Sequence, residues 1–163
     1  MRAIVAVDNE WGIGKNNNLL FHIPEDMKFF KNTTTGKIVV MGKNTFKSLP
    51  NGPLKDRYNI VITKTPSDNL YPNCVFYNIN TFKKYLKEIE HEECVYIIGG
   101  GLLYREFLQS CDIVYVTIYD KKCDADVFIP NLNDIGFSCV ETLLFGEYEN
   151  HKYKITKWRN NSI

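Results

Sequence analysis

The chain has 163 residues, 44% hydrophobic and 24% charged, with a formal net charge of +1. That length suits one domain with a substantial core, and the near-neutral charge gives no reason to expect nucleic acid or an anionic membrane as a partner. The apolar runs, such as Ile60–Ile62 and Val95–Ile98, are far too short to span a bilayer, and the N-terminus enters a strand pattern at once, without signal-peptide architecture.

Residues 2–8 read as a buried strand. Asp8 to Ile23 holds three asparagines in a row and two glycines with little periodicity, and reads as a loop that can move. Residues 24–32 read as a helix, with Pro24 at its first position, where a missing N–H costs nothing and φ is already helical. Residues 38–41 are a strand, followed at once by Gly42 and a short helix to about Ser48. Residues 58–63 and 74–77 are strands. Phe82, Tyr85, Leu86 and Ile89 then recur at helical spacing, with Asn80 or Thr81 as the expected cap. A buried strand from Cys94 ends in Gly99, Gly100 and Gly101, and Leu102–Gln109 continues as a helix. Residues 112–119 are a strand. The stretches 137–145 and 151–159 read as a long antiparallel hairpin joined through Gly146.

Strands alternating with helices imply an α/β fold, a mostly parallel sheet with helices on both faces and the terminal hairpin at one edge. No repeat or linker divides the chain, so residues 1–163 are expected to form a single domain. Ligands of such sheets bind beyond the carboxyl ends of the strands. Asp26, Gly42, Thr63, Gly99–Gly101 and Thr117 are expected at or just past those ends.

The chemistry concentrates in three places. Asp26 is followed by Met27, Phe29 and Phe30, and residues three and four apart share a helix face. A carboxylate aimed into an apolar environment is costly unless something pairs with it. The simpler reading, a first-turn acid that complements the helix dipole, is already served by Glu25. The other two places are strand-to-helix turns. Gly42 precedes Lys43, Asn44 and Thr45, and Gly99–Gly101 precede Leu102 and Leu103. Free N–H groups there suit phosphate, and glycine allows close approach. Each turn alone is more often only a tight turn; together they suggest a dinucleotide, although contiguous, late glycines are not the Rossmann fingerprint. The five cysteines, Cys74, Cys94, Cys111, Cys123 and Cys139, form no Cys-x-x-Cys pair. They read as small hydrophobes in a reducing, cytoplasmic setting, and no metal site is expected. His91 and His151 read as surface residues.

The segments "AIVAVD", "GIGKNNNLL", "PEDMKFF", "VVMGKNTFKSLP", "LKDRYNIVIT", "VYIIGGGLLYREFL", "IVYVTIYD" and "CDADVFIP", in this order and spacing, resemble the dihydrofolate reductase family over essentially the whole chain. The resemblance implies an eight-stranded twisted sheet with about four helices. It implies NADPH as cofactor, dihydrofolate and antifolate inhibitors as ligands, and a monomer. Asp26 is then the acid beside the pterin, with Thr117 bonded to it. Phe21 stands where bacterial relatives usually carry a tryptophan, and Leu20 where they carry a proline. Ile4, Val5, Ala6, Leu19, Met27, Phe30, Leu49, Leu54, Ile98 and Tyr104 match folate and nicotinamide contacts. Arg57 matches the partner of the glutamate-tail carboxylate, with Lys31 nearby. Lys43, Thr63 and Lys64 match the binding site of the cofactor's 2′-phosphate, while Leu102 replaces a frequent arginine. In that family the bond between the first two glycines of the triplet is cis. Its mobile loop, which here includes Ile13 and Gly14, closes over the nicotinamide, held by the loop around Asp126. A related reductase acting on a riboflavin-pathway pyrimidine would not be expected to pair Asp26 with Arg57. A non-catalytic nucleotide-binding module would keep the glycine turns and lose the acid.

Overall fold

Strand runs that are apolar at successive positions must be covered on both faces. The computed structural model, which describes residues 1–67 and 71–163, places these runs at the centre of one sheet. In chain order the elements are β1 (Arg2–Val7), β2 (Gly12–Gly14), α1 (Pro24–Thr34), β3 (Ile38–Gly42), α2 (Lys43–Ser48), β4 (Tyr58–Ile62), β5 (Cys74–Tyr77), α3 (Ile79–Glu88), β6 (Val95–Gly99), α4 (Gly101–Phe107), β7 (Ile113–Tyr119), β8 (Val127–Phe128), β9 (Phe137–Tyr148) and β10 (His151–Asn160). The eight-stranded sheet runs β5-β4-β3-β6-β1-β7-β10-β9. The first six of these are mutually parallel; β10 pairs antiparallel with β7, and β9 pairs antiparallel with β10 and so runs in the direction of the six.

Alternation of side chains across the pleat sorts the core into two layers. Ala3, Val5, Val7, Val40, Ile60, Ile97, Val114 and Val116 join Phe82 of α3 and Phe107 of α4 on one face. Val39, Met41, Val61 and Cys74 form the core of the other, with Phe46, Leu49, Leu54 and Ile98 packed against them. Helix α1 crosses this second face, where Phe29 meets the ring of Tyr115 edge-on at 5.7 Å.

Several local expectations are corrected. Helix α1 runs to Thr34, two residues further than its pattern indicates. The cap of α3 is Asn78, whose side chain accepts from the Thr81 N–H at 2.8 Å, so Asn80 and Thr81 lie inside the first turn. Helix α4 starts at Gly101 and ends at Phe107, giving way to a 3-10 turn over Leu108–Ser110. The hairpin does not turn at Gly146, which lies within β9 opposite Tyr153. The reversal falls at Glu149 and Asn150, with φ of 48° and 66°, as a primed two-residue turn requires. Gly146 is needed for another reason: a Cβ there would stand 2.6 Å from the Tyr153 hydroxyl. The Asp8–Ile23 segment is only partly loop, because β2 pairs with β8 in a separate two-stranded ribbon. No helix among the described residues is long and apolar enough to cross a membrane.

Candidate active site

Helix α1 brings Asp26 over the sheet because Pro24 opens the helix and Ile23, just before it, is buried with Tyr119 and Tyr153. The Asp26 Oδ1 accepts a hydrogen bond from Thr117 Oγ1 at 2.5 Å. Thr117 is buried and pairs in register with Ala6 of β1. It lies within β7, two residues before its end, so the expectation that it sits at a strand terminus is corrected. Burial pushes the Asp26 carboxyl above the usual carboxylate range, and the Thr117 hydrogen bond works against that shift. The burial comes from the sheet side. Met27, expected to help enclose the acid, is 54% exposed and stands on the rim.

Ile4, Ala6, Thr117 and Ile98 share the face that α1 covers, by strand alternation. Val5 points to the opposite face and is core there, so it can meet a ligand only through its main chain. Leu103 and Ile13 are also side chains of that core. Tyr104 is buried, and its hydroxyl donates to the Ile4 carbonyl at 2.7 Å. Burial pushes that hydroxyl far up, with smaller contributions from Cys111 and Asp26, so it stays a neutral donor. Phe21 packs on Tyr119 with ring centroids 4.9 Å apart, within the cluster of Ile23 and Tyr153. Phe30 faces the Arg57 guanidinium at 6.0 Å from its ring centroid. Arg57 Nε donates to the Lys55 carbonyl at 2.8 Å and Nη1 to Thr34 Oγ1 at 3.2 Å. Partial burial pulls the Arg57 pKa down, and Asp56 opposes this. Lys31 is exposed on α1.

The glycine turns converge. The Gly99–Gly100 peptide is cis, and Gly99 has φ 140°. A Cβ on either Gly99 or Gly100 would stand 3.3 Å from Thr45 Oγ1, and one on Gly42 would stand 3.8 Å from the Gly100 nitrogen. Bare backbone from two strand ends thus surrounds one hydroxyl, a cradle that side chains would fill. The capping positions of α2 and α4, Gly42 and Gly100, make no side-chain cap bond, leaving first-turn N–H groups available. Lys43, Asn44 and Lys64 are exposed at this rim, and Thr63 is half-buried. Leu102 is 79% exposed and Leu19 60% exposed, so the mouth is edged by apolar side chains.

Over the cradle lies the β2–β8 ribbon. A Cβ on Gly101 would stand 2.7 Å from Val127 Cγ1 and 3.9 Å from Ile13 Cδ1. The ribbon is fastened where the sequence indicated. Asp126 N–H donates to the Gly14 carbonyl at 3.0 Å, and its Oδ2 accepts from the Asn16 N–H at 3.0 Å. A second fastening was missed. Asp8 is buried, and its carboxylate accepts from the N–H groups of Glu10, Gly12 and Cys123. The one available signal was an aspartate at a strand end, a frequent turn former.

Tyr104 links the two features, its hydroxyl 3.8 Å from where a Cβ on Gly99 would stand and within electrostatic reach of Asp26. An open, mostly parallel sheet with a half-buried carboxylate and a glycine cradle on one sheet edge suits an α/β oxidoreductase. The family described as "Dihydrofolate reductase" matches residues 1–160, and the chain belongs to it. It is similar to the dihydrofolate reductase of Haemophilus influenzae, 34% identical over 130 residues that cover 80% of this chain and 78% of that one. It is 32% identical to that of Bacillus subtilis over 139 residues, covering 85% and 80%. A structure of dihydrofolate reductase from Enterococcus faecalis, complexed with NADP(H) and RAB-propyl, superposes with a TM-score of 0.82 at 28% identity, covering 98% of this chain and 95% of that one.

Proposed function

We propose that the chain reduces 7,8-dihydrofolate to 5,6,7,8-tetrahydrofolate, consuming NADPH and one proton and releasing NADP+. The observation that carries this reading is Asp26, held by Thr117 beside the cradle of Gly42, Thr45, Gly99 and Gly100. NADPH, when bound, supplies the hydride. The cradle, with Lys43, Thr63 and Lys64 at its rim, would hold the cofactor's phosphates.

Asp26 performs the positional work. Its Oδ1 is engaged by Thr117, and Oδ2 has no hydrogen-bond partner among the described residues. That oxygen is free to accept from the ring N–H and amino groups of a pterin. A carboxylate there favours a substrate that gains positive charge as it takes up its proton. Met27, Phe30, Leu49, Leu54 and Ile98 form the apolar slot for the flat ring and its tail. Antifolate inhibitors that imitate the ring compete for the same oxygen. Purified protein should oxidise NADPH only when dihydrofolate is added. Oxidation that needs a pyrimidine substrate instead overturns the reading.

Lys43 and Lys64 are read as the charges that separate NADPH from NADH. Each exposed charge–phosphate contact is worth about 1 kcal/mol, a several-fold effect. Lys43→Ala and Lys64→Ala should raise KM for NADPH by that factor and leave KM for NADH unchanged. Equal effects on both cofactors refute the assignment. On this reading the protein is a single-domain cytoplasmic monomer. Two register shifts interrupt the β9–β10 edge, and such bulges oppose edge-to-edge pairing of copies. Light scattering should return the monomer mass.

A further inference from the structure

Strand β4 is apolar at Ile60, Val61 and Ile62, yet at its second position it buries an amide completely. Asn59 is 0% exposed. Its side chain closes a network on the loop that precedes the strand. Asn59 Oδ1 accepts from the Leu54 N–H at 2.9 Å, and Nδ2 donates back to the Leu54 carbonyl at 2.9 Å. Nδ2 also reaches the Arg57 carbonyl at 3.1 Å and the Asn73 carbonyl at 3.3 Å. Asn73, from the residue before β5, donates through Nδ2 to the carbonyls of Leu54 at 3.1 Å and of Arg57 at 3.2 Å.

The two amides therefore act as a substitute strand edge for residues 54–57. The Leu54 main chain is held at both its N–H and its carbonyl, and the Arg57 main chain at its carbonyl. Between them Asp56 adopts φ 61°, a left-handed conformation that a free loop of L-residues rarely keeps. The Arg57 side chain is then aimed by its own bonds to the Lys55 carbonyl and to Thr34 of α1. The Nη2 edge of the guanidinium has no partner among the described residues. Loop position and these two bonds, to Lys55 and Thr34, together decide where that edge points.

We infer that Asn59, assisted by Asn73, is a positioning residue for the folate tail: it fixes the 54–57 loop so that Arg57 presents its free edge to the tail carboxylate. The inference rests on the reading of Arg57 as the tail's partner. Its distinctive consequence is selectivity. A buried amide that merely stabilised the fold would affect all substrates alike. An amide that aims Arg57 affects substrates with the tail carboxylate far more than those without it, since any shift of Leu54, which the same amide holds in the slot, falls on both alike.

The experiment compares KM and kcat for dihydrofolate and for a 7,8-dihydropterin without the aminobenzoyl-glutamate tail. It uses wild type, Asn59→Ala, Arg57→Leu and the double variant. Asn59→Ala should raise KM for dihydrofolate about ten-fold or more, because a displaced Arg57 loses most of its charge-assisted bond. It should leave kcat, and both constants for the tail-less pterin, within about two-fold of wild type. In the Arg57→Leu background the same change should add little, because coupled residues are not additive. If Asn59→Ala fails to fold, Asn73→Ala removes donors to the same carbonyls from a half-buried site, and a smaller tail-selective rise is expected. Equal effects on both substrates, or full additivity with Arg57→Leu, overturn the inference. If Arg57→Leu is itself indifferent to the tail, the reading of Arg57 falls and the inference falls with it. A tail-selective Arg57→Leu beside an unselective Asn59→Ala sinks the positioning role alone.

Discussion

Asp26→Asn should fold, bind NADPH, and lose roughly 10²–10⁴ in the rate of hydride transfer at neutral pH. The amide keeps the shape and can still accept from Thr117, whose bond to Oδ1 fixes the rotamer. At the Oδ2 position, however, it offers either a weaker acceptor or a donor. The pterin's ring N–H and amino groups are donors as well, so the ground-state fit is lost along with the charge that favours a protonated substrate. Activity should partly return as pH falls, when solvent or the substrate itself supplies the proton. Phe21→Trp should change the rate far less, since Phe21 packs on Tyr119 in the cluster below the helix start. Single-turnover hydride transfer across a pH series makes the comparison. A rate near wild type at neutral pH would mean that Asp26 is an ordinary first-turn carboxylate.

The same carboxyl makes a stability statement with a definite sign. Burial raises the Asp26 pKa in the folded protein relative to the unfolded chain. A group of that kind contributes stability at low pH, below its unfolded pKa. The contribution is lost as pH rises through the folded value, above which the fold holds a charge it disfavours. Without ligands, Asp26→Asn should therefore melt at a temperature equal to or higher than wild type at neutral pH, and the gap should close on acidification. A residue kept for stability would show the reverse.

Much of this site was legible in the sequence because its parts are local. Pro24 and the helical spacing after it placed Asp26 on α1, and the glycines at the ends of β3 and β6 marked the cradle. Parts that depend on tertiary contact were not legible. Strands β2 and β8 have three and two residues, too few for a period to show, so the ribbon and its packing of Val127 on Gly101 were not legible even though the loop and its tie at Asp126 were. Gly146 suggested a turn because glycine usually marks one, whereas its real neighbour is a tyrosine ring from the next strand. That Met27 stands at the rim and does not enclose the acid was not legible, because helical spacing gives a direction but not what lies opposite. Asn59 left a trace, one amide in an apolar strand, yet its partners Leu54 and Asn73 lie five and fourteen residues away, which no spacing rule connects.

Arg57→Leu should weaken binding of dihydrofolate and leave binding of a tail-less pterin nearly unchanged. A truncated partner of a hydrogen-bonded charge pair costs about 2–5 kcal/mol. The geometry argues for the lower part of that range. Arg57 is half-buried, so solvent screens part of the interaction, and Nε and Nη1 already serve Lys55 and Thr34. About 2–3 kcal/mol corresponds to roughly 30- to 150-fold in Kd. The fold should tolerate the change, because Asn59 and Asn73 hold the loop's main chain at Leu54 and Arg57, and the guanidinium adds one bond, to the Lys55 carbonyl. Thr34→Val provides the graded control. It removes the oxygen that receives Nη1 while leaving the charge in place, so it should weaken tail-dependent binding by less than Arg57→Leu. Titration calorimetry with both ligands reads all three outcomes. Equal losses for the two ligands in Arg57→Leu would assign the residue to the packing of Phe30 and α1 instead of to the substrate.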